Sequence, residues 1–384
     1  KKYFKKLILW NKLSPVLLNN FSTNQLNLNF SEESVEEFKK QRDRLRIHSL
    51  SLIHQVREIN LLLTNNNLLG IFLKGVPLAF FEYQDISIRP MLDIDLLMHE
   101  KDIYIFYDQL LQNGYAHEKN ITYDRKSLAE FINISHQLPQ LYKNNISLEL
   151  HHRVTDKKIF EICPLKDSIL KRNKTKNFMN FSIHVPHEED MLLHQITKLY
   201  SYPEFKLGLL SLFDFLTLEK NYNFDLINLL NSIKNKKLKK NTILTLSLFS
   251  LILPSSHKLM EVRNKFFNQN DEPILRFSFK RIYELPSSSF LHNSYSFYLI
   301  QNKNLRGFLS LFIRKIFPSK VRIKYKYGEK AASKNYIFMF YIINFFILLK
   351  RYKRDLIVLS IAFLKKNPEL ENYKSLSEFI RSDK

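Results

Sequence analysis

Met91-Leu92-Asp93-Ile94-Asp95-Leu96-Leu97-Met98 is a short apolar run interrupted only by two aspartates. Such a run between polar flanks predicts a buried β-strand. Residues i and i+2 of a strand point to the same face, so Asp93 and Asp95 emerge side by side while Ile94 buries the opposite face. Two neighbouring carboxylates repel, and burying them unpaired is costly. A divalent cation offsets both penalties, and oxygen ligands at this spacing suit Mg²⁺ or Mn²⁺ shared with substrate phosphates. Asp-x-Asp also occurs on solvated strand edges, so the pair gains meaning only from its neighbours.

Glu149 is the first such neighbour. It interrupts another apolar strand, Ile146-Ser147-Leu148-Glu149-Leu150, and pairing of that strand with 91–98 would set Glu149 beside both aspartates. The predicted strand at 68–73 ends at Lys74-Gly75, and Pro77 suits the first turn of a helix over 78–83. A strand turning into a helix at a glycine lets backbone N–H groups approach a phosphate, helped by the helix dipole. Lys74 adds charge there, or simply ends the strand in solvent.

Ser31, followed by Glu32 and Glu33, predicts a helix start, with apolar residues at helical spacing up to Leu62. A helix over 102–112 stops at Asn113-Gly114, and strands are expected at 131–138 and 146–153, joined through Pro139 and Asn144-Asn145. From Glu188 the pattern turns helical: 191–200, 207–218, 226–233, 243–253 and 297–316, with 164–186 as a loop-rich connection. The expected class is α+β: an α/β domain with a small mixed sheet over 31–187, a 1–30 extension, and a mostly helical domain over 188–384.

The chain has 384 residues, 45% hydrophobic, enough for proper cores. One cysteine, Cys163, excludes a disulfide framework and a cysteine zinc site, and fits a reducing cytoplasm. The net charge of +22 attracts phosphates on nucleotides, nucleic acid or lipid, or reflects lysine-rich coding; its spread names no partner. No secretory signal is visible at the start. Residues 336–349 are almost wholly apolar, shorter than the roughly twenty residues of a spanning helix. With Lys350, Arg351, Lys353 and Arg354 behind them and a second apolar run at 356–364, they predict a buried helical hairpin or an interfacial contact with anionic lipid. The expected location is cytoplasmic, with membrane association through 336–364 as the variant.

Leu73-Lys74-Gly75-Val76-Pro77-Leu78, Arg89, Asp93-Ile94-Asp95-Leu96-Leu97 and Leu148-Glu149-Leu150-His151-His152 together resemble the uncharacterised bacterial nucleotidyltransferase family of the DNA polymerase β superfamily. That family is similar to the nucleotidyltransferase toxins of toxin–antitoxin systems. The likeness extends to His136, to 212–218 with its central Asp214, and to 317–328, covering the chain from about residue 30. It implies Asp93, Asp95 and Glu149 as ligands of Mg²⁺ (or Mn²⁺), and Lys74, Gly75 and Arg89 at the triphosphate of an NTP. The implied reaction moves a nucleoside monophosphate to an acceptor hydroxyl on a protein, RNA, saccharide or small molecule. Val76 departs from the superfamily's usual Gly-Gly or Gly-Ser turn and removes a hydroxyl contact.

By alternation His151 shares the Glu149 side, where it touches substrate or serves structure; His136 and Lys198 are further substrate-side candidates. Lys198 and Asp214 are expected to form a salt bridge, with lining of the cleft as the alternative. His184, His187 and His194 fit no zinc spacing. Two rival classes stay open: a catalytically degenerate nucleotide- or RNA-binding protein, and a peripheral membrane protein acting on lipid-linked saccharide.

Overall fold

Helix formation begins with a capped start at Ser31, whose side chain accepts from the Ser34 N–H. The computed structural model describes residues 2–22, 30–83, 85–118, 121–154, 165–201, 208–283, 316–328, 330–333 and 335–364, with isolated positions at 313 and between 372 and 379. Helices α1 (Lys2–Trp10) and α2 (Ser14–Ser22) precede α3 (Glu32–Asn65). Along α3, Phe38, Leu45, Leu52, Val56, Ile59 and Leu63 recur every three, four or seven residues and are buried. Strand β1 (Gly70–Leu73) enters a single turn, α4 (Gly75–Pro77), which continues as π-helix over Leu78–Glu82. Strand β2 (Asp93–Met98), α5 (Glu100–Gln112), α6 (Arg125–Ile134), the hairpin β3 (Leu141–Lys143) and β4 (Ile146–His151), and α7 (Leu165–Arg172) follow. A second hairpin, β5 (Lys174–Phe178) and β6 (Phe181–Val185), completes the sheet. Helices α8 (Glu188–Ser201), α9 (Gly208–Tyr222), α10 (Leu226–Ser232), α11 (Lys236–Ile252), α12 (His257–Phe266) and α13 (Glu272–Ile282) come next, then α14 (Lys320–Tyr327) and α15 (Ile337–Leu364). The fold is therefore mixed α+β and rich in helix.

The six strands lie in the order β3-β4-β2-β1-β6-β5. Strands β2 and β1 are antiparallel, whereas β2 pairs with β4, and β1 with β6, in parallel. Alternation divides the sheet's residues between two cores. Phe72, Ile94, Leu96, Leu148 and Leu150 pack on α3 and α5. Ile71, Leu73 and Leu97, on the other face, join the core formed with α7, α8 and α9. The acidic residues of β2 and β4 share this second face.

Three expectations are corrected. Residues 131–138 are not a strand: Phe131 and Ile132 close α6, which Asp124 opens by accepting from the Ser127 N–H at 2.8 Å. Leu128, Phe131 and Ile132 are buried at helical spacing, a pattern that starts before the apolar cluster. The 164–186 connection contains α7 and the β5–β6 hairpin. Strand β5 (Lys-Thr-Lys-Asn-Phe) lies at the sheet edge, largely exposed, so it carries no apolar alternation. Residues 337–364 form one continuous helix, not a hairpin. The helix expected at 297–316 lies outside the described residues except at Ile313 and Ile316.

Candidate active site

Parallel pairing of β2 with β4 sets Asp93 opposite Ser147, Asp95 opposite Glu149 and Leu97 opposite His151. Registered partners project to the same face, so Asp93, Asp95, Glu149 and His151 converge from two adjacent strands. Lys74 enters from the third strand: Leu73 pairs with Asp95, and the chain turns at Lys74 with φ 52° and ψ −109°. That left-handed backbone is strained for a residue with a Cβ. It sends the Lys74 ammonium onto Asp95 Oδ1, 3.9 Å from Glu149 Oε2.

His151 Nε2 lies 2.8 Å from Asp95 Oδ1 and 3.2 Å from Glu149 Oε2, and the ring is 1% exposed. The other Glu149 oxygen accepts from Gln140 Nε2, whose own carbonyl oxygen accepts from the Tyr142 hydroxyl at 2.8 Å. Asp95, Glu149 and His151 each offer a ligand atom, all within 4.8 Å of one another. Two carboxylate oxygens and one imidazole nitrogen suit a divalent cation, with His151 in this trio and Asp93 on the same face outside it.

Burial opposes every charge in this group, and the partners decide the outcome. Burial would raise Asp95, but Lys74 and the His151 hydrogen bond hold it well below the usual carboxylate range. Glu149 is lowered in the same way, through His151 and Lys74 against burial. Burial also disfavours the Lys74 ammonium, yet Asp95 and Glu149 keep it above its ordinary pKa. Among the described residues no cation contacts Asp93; burial and then Asp95 raise its pKa. A carboxylate held high beside one held low is the pattern that added positive charge would relieve.

The remaining predicted residues divide. Arg89 is 5% exposed and forks onto Asp214, with Nε 3.1 Å from Oδ1 and Nη2 2.9 Å from Oδ2. Arg89 thus braces α9 against the β1–β2 connection through its pairing with Asp214. The same pair replaces the Lys198–Asp214 bridge: Asp214 is taken by Arg89 and by the Tyr83 hydroxyl at 3.0 Å. Lys198, on α8, instead lies within electrostatic reach of Asp93 and Asp95; burial first, then Lys74 and Arg89, lower its pKa to about 8. A Cβ on Gly75 would lie 3.3 Å from Arg89 Nη1 and from Met91 Cγ, so a larger residue there would press on both side chains. Val76 is fully buried in the sheet core. The ring of His136 lies 5.3 Å from that of His151, and burial followed by His151 lowers its pKa to about 4.

Sequence reasoning missed Glu82, which is 5% exposed and accepts from Lys176 at 3.1 Å, from the Tyr222 hydroxyl at 2.8 Å and from Asn221. An acid inside the apolar run Leu78-Ala79-Phe80-Phe81-Glu82 was the available signal. His184, His187 and His194 do not cluster; His184 Nδ1 meets Asn173 Oδ1 at 2.9 Å. A cavity between α7, α8 and α10 shares no lining residue with the carboxylates, and its polar wall is an internal pairing of Ser168 and Arg172 with Asp190.

A family model described as "Uncharacterised nucleotidyltransferase" matches residues 2–254. The match takes in the first thirty residues and stops short of 317–328, so the likeness begins earlier and ends sooner than the motifs suggested. No curated protein matches, and neither does any solved structure.

Proposed function

Because the chain belongs to the uncharacterised nucleotidyltransferase family, we propose that it moves a nucleoside monophosphate from an NTP to an acceptor hydroxyl at the Asp93/Asp95/Glu149 face. The observation that carries this is the parallel register of β2 and β4, which puts Asp95 directly beside Glu149, with the Lys74 ammonium on Asp95 and 3.9 Å from Glu149. We assign the sheet to a polymerase-β-like arrangement, with 31–187 handling nucleotide, 188–384 recognising the acceptor and 1–30 bracing α3.

Asp93, Asp95 and Glu149 would hold Mg²⁺ or Mn²⁺, with His151 as a further donor, and the cation supplies charge neutralisation to the triphosphate when bound. Lys74 keeps its proton beside the two carboxylates and presents a fixed positive charge to the phosphates. Lys198 adds a second cation from the opposite wall. The acceptor oxygen bonds to the α-phosphorus as the bond to the β-phosphate bridging oxygen breaks. Pyrophosphate leaves, and the acceptor proton passes to Glu149. Burial of the group under α8 and α9 limits competing attack by water.

Equilibrium binding of each NTP in the presence of Mg²⁺ tests the site. Wild type should bind at least one NTP in a metal-dependent way, and Asp93→Asn/Asp95→Asn, shown to be folded by circular dichroism, should lose that binding. Equal binding by wild type and the folded double variant would place the nucleotide elsewhere.

A further inference from the structure

Helix α15 rests on the body through a narrow stripe. Phe340, Asn344 and Leu348, spaced by four, are 7%, 4% and 8% exposed. Asn344 Nδ2 donates to the Ile316 carbonyl at 3.0 Å, Phe340 packs on Tyr327 of α14 at 4.6 Å between ring centroids, and Tyr341 packs on Phe317 at 5.0 Å. Helix α14 is itself anchored on the sheet domain, with Ile323 fully buried and the Lys324 ammonium over the Tyr123 ring. The base of α15 is therefore tied down.

Its outer face has no cover among the described residues. Phe338 is 73% exposed, Met339 51%, Ile342 45%, Ile343 47%, Phe346 63% and Ile347 43%. A contiguous patch of this kind on a folded protein marks an interaction surface. Its flanks specify the partner. Between residues 313 and 355 the sequence has 12 Lys and Arg against 2 acids, Glu329 and Asp355. This short segment thus holds close to half of the chain's net charge of +22. Four of its cations, Lys350, Arg351, Lys353 and Arg354, directly follow the apolar stripe.

We propose that α15 lies in the surface of an anionic lipid bilayer, with its outer apolar face among the acyl chains and its basic flanks on the headgroups. An apolar stripe with adjoining cations matches that boundary. A nucleic acid would engage the cations and leave the stripe in water. A second copy of the chain would cover the stripe while bringing two strongly basic segments together. No helix among the described residues is long and apolar enough to cross a membrane, so the contact lies along the surface. The segment falls outside the 2–254 family match, so the proposal stands apart from the one for the active site.

Vesicle co-sedimentation of the full chain decides the matter, using phosphatidylcholine vesicles with and without phosphatidylglycerol. Wild type should sediment with the anionic vesicles only and be released by high salt. Met339→Gln/Ile343→Gln/Phe346→Gln and Lys350→Gln/Arg351→Gln/Lys353→Gln/Arg354→Gln should each weaken partitioning by roughly 10-fold or more. The first triple replaces exposed side chains, so circular dichroism and melting should match wild type. Folded wild type that ignores anionic vesicles would overturn the proposal. So would a wild-type dimer, seen by light scattering, that the triple variant converts to monomer, since the stripe would then be a contact between copies.

Discussion

At the residue scale, the chemistry depends on which charges have fixed partners. Asp95, Glu149, His151 and Lys74 form one compensated group, whereas Arg89 and Asp214 form another a short distance away. Both groups were visible in the sequence as motif residues, but their roles separate only in space. Asp93, Asp95 and Glu149 could be placed by strand alternation alone. Arg89 could not, because its partner lies 125 residues away on α9. The buried Arg89–Asp214 pair makes a sharp prediction. Arg89→Ala strands the Asp214 carboxylate and should lower stability by about 3–5 kcal/mol, whereas Arg89→Met/Asp214→Leu, which removes both charges, should recover most of that loss. Urea denaturation of the three proteins checks this; a double variant no better than Arg89→Ala would show that the ion pair is not the brace. Lys74 is the other unexpected residue: the left-handed backbone at the turn falls on it and not on Gly75, whose role is to make room for Arg89 and Met91.

At the element scale, legibility followed burial pattern. Helices α3 and α5 and strands β1, β2 and β4 have one or two buried faces, and their periodicity named them. Asn144 and Asn145, with φ of 51° and 61°, marked the turn into β4, but the strand before that turn is the short β3 and not 131–138. Strand β5 stayed hidden because an edge strand of Lys, Thr and Asn has no apolar face to betray it, whereas β6, inside the sheet, carries Phe181, Ile183 and Val185 in alternation and was overlooked with it. Helix α6 was misread because only its last turn is rich in β-branched and aromatic residues, while its defining signal is Asp124 at the N-cap. Asp124→Ala should therefore lower the midpoint of chemical denaturation, and Asp124→Ser should lower it much less. An unchanged midpoint for Asp124→Ala would mean that α6 does not depend on its cap.

At the scale of the whole molecule, the sheet's acidic face meets α8 and α9, so folding of the helical layer and assembly of the site are one event. Three histidines at and around the sheet are held neutral by burial. Burial first lowers His136 to about 4, His152 to about 4 and His194 to about 3. Each is neutral when folded and protonates near 6.5 when unfolded, so its stabilisation is full above that pH and is lost as pH falls toward the folded value. His151, raised by its carboxylates against burial, works in the opposite sense: its contribution is present below 6.5 and fades as pH rises through its folded pKa. The three neutral rings outnumber it, so the melting temperature should fall steeply between about pH 6.5 and 4, with a slope approaching roughly 4 kcal/mol per pH unit at most. A flat profile across that window would show that these rings are not buried neutral. The central claim, that β2 and β4 jointly build a nucleotidyl-transfer centre, is tested most directly by Mg²⁺-dependent pyrophosphate release from each NTP. Wild type, presented with candidate protein, RNA, saccharide and small-molecule acceptors, should release pyrophosphate with one NTP, and Glu149→Gln and Asp95→Asn should each abolish it in folded protein. Turnover that survives both substitutions would contradict the account.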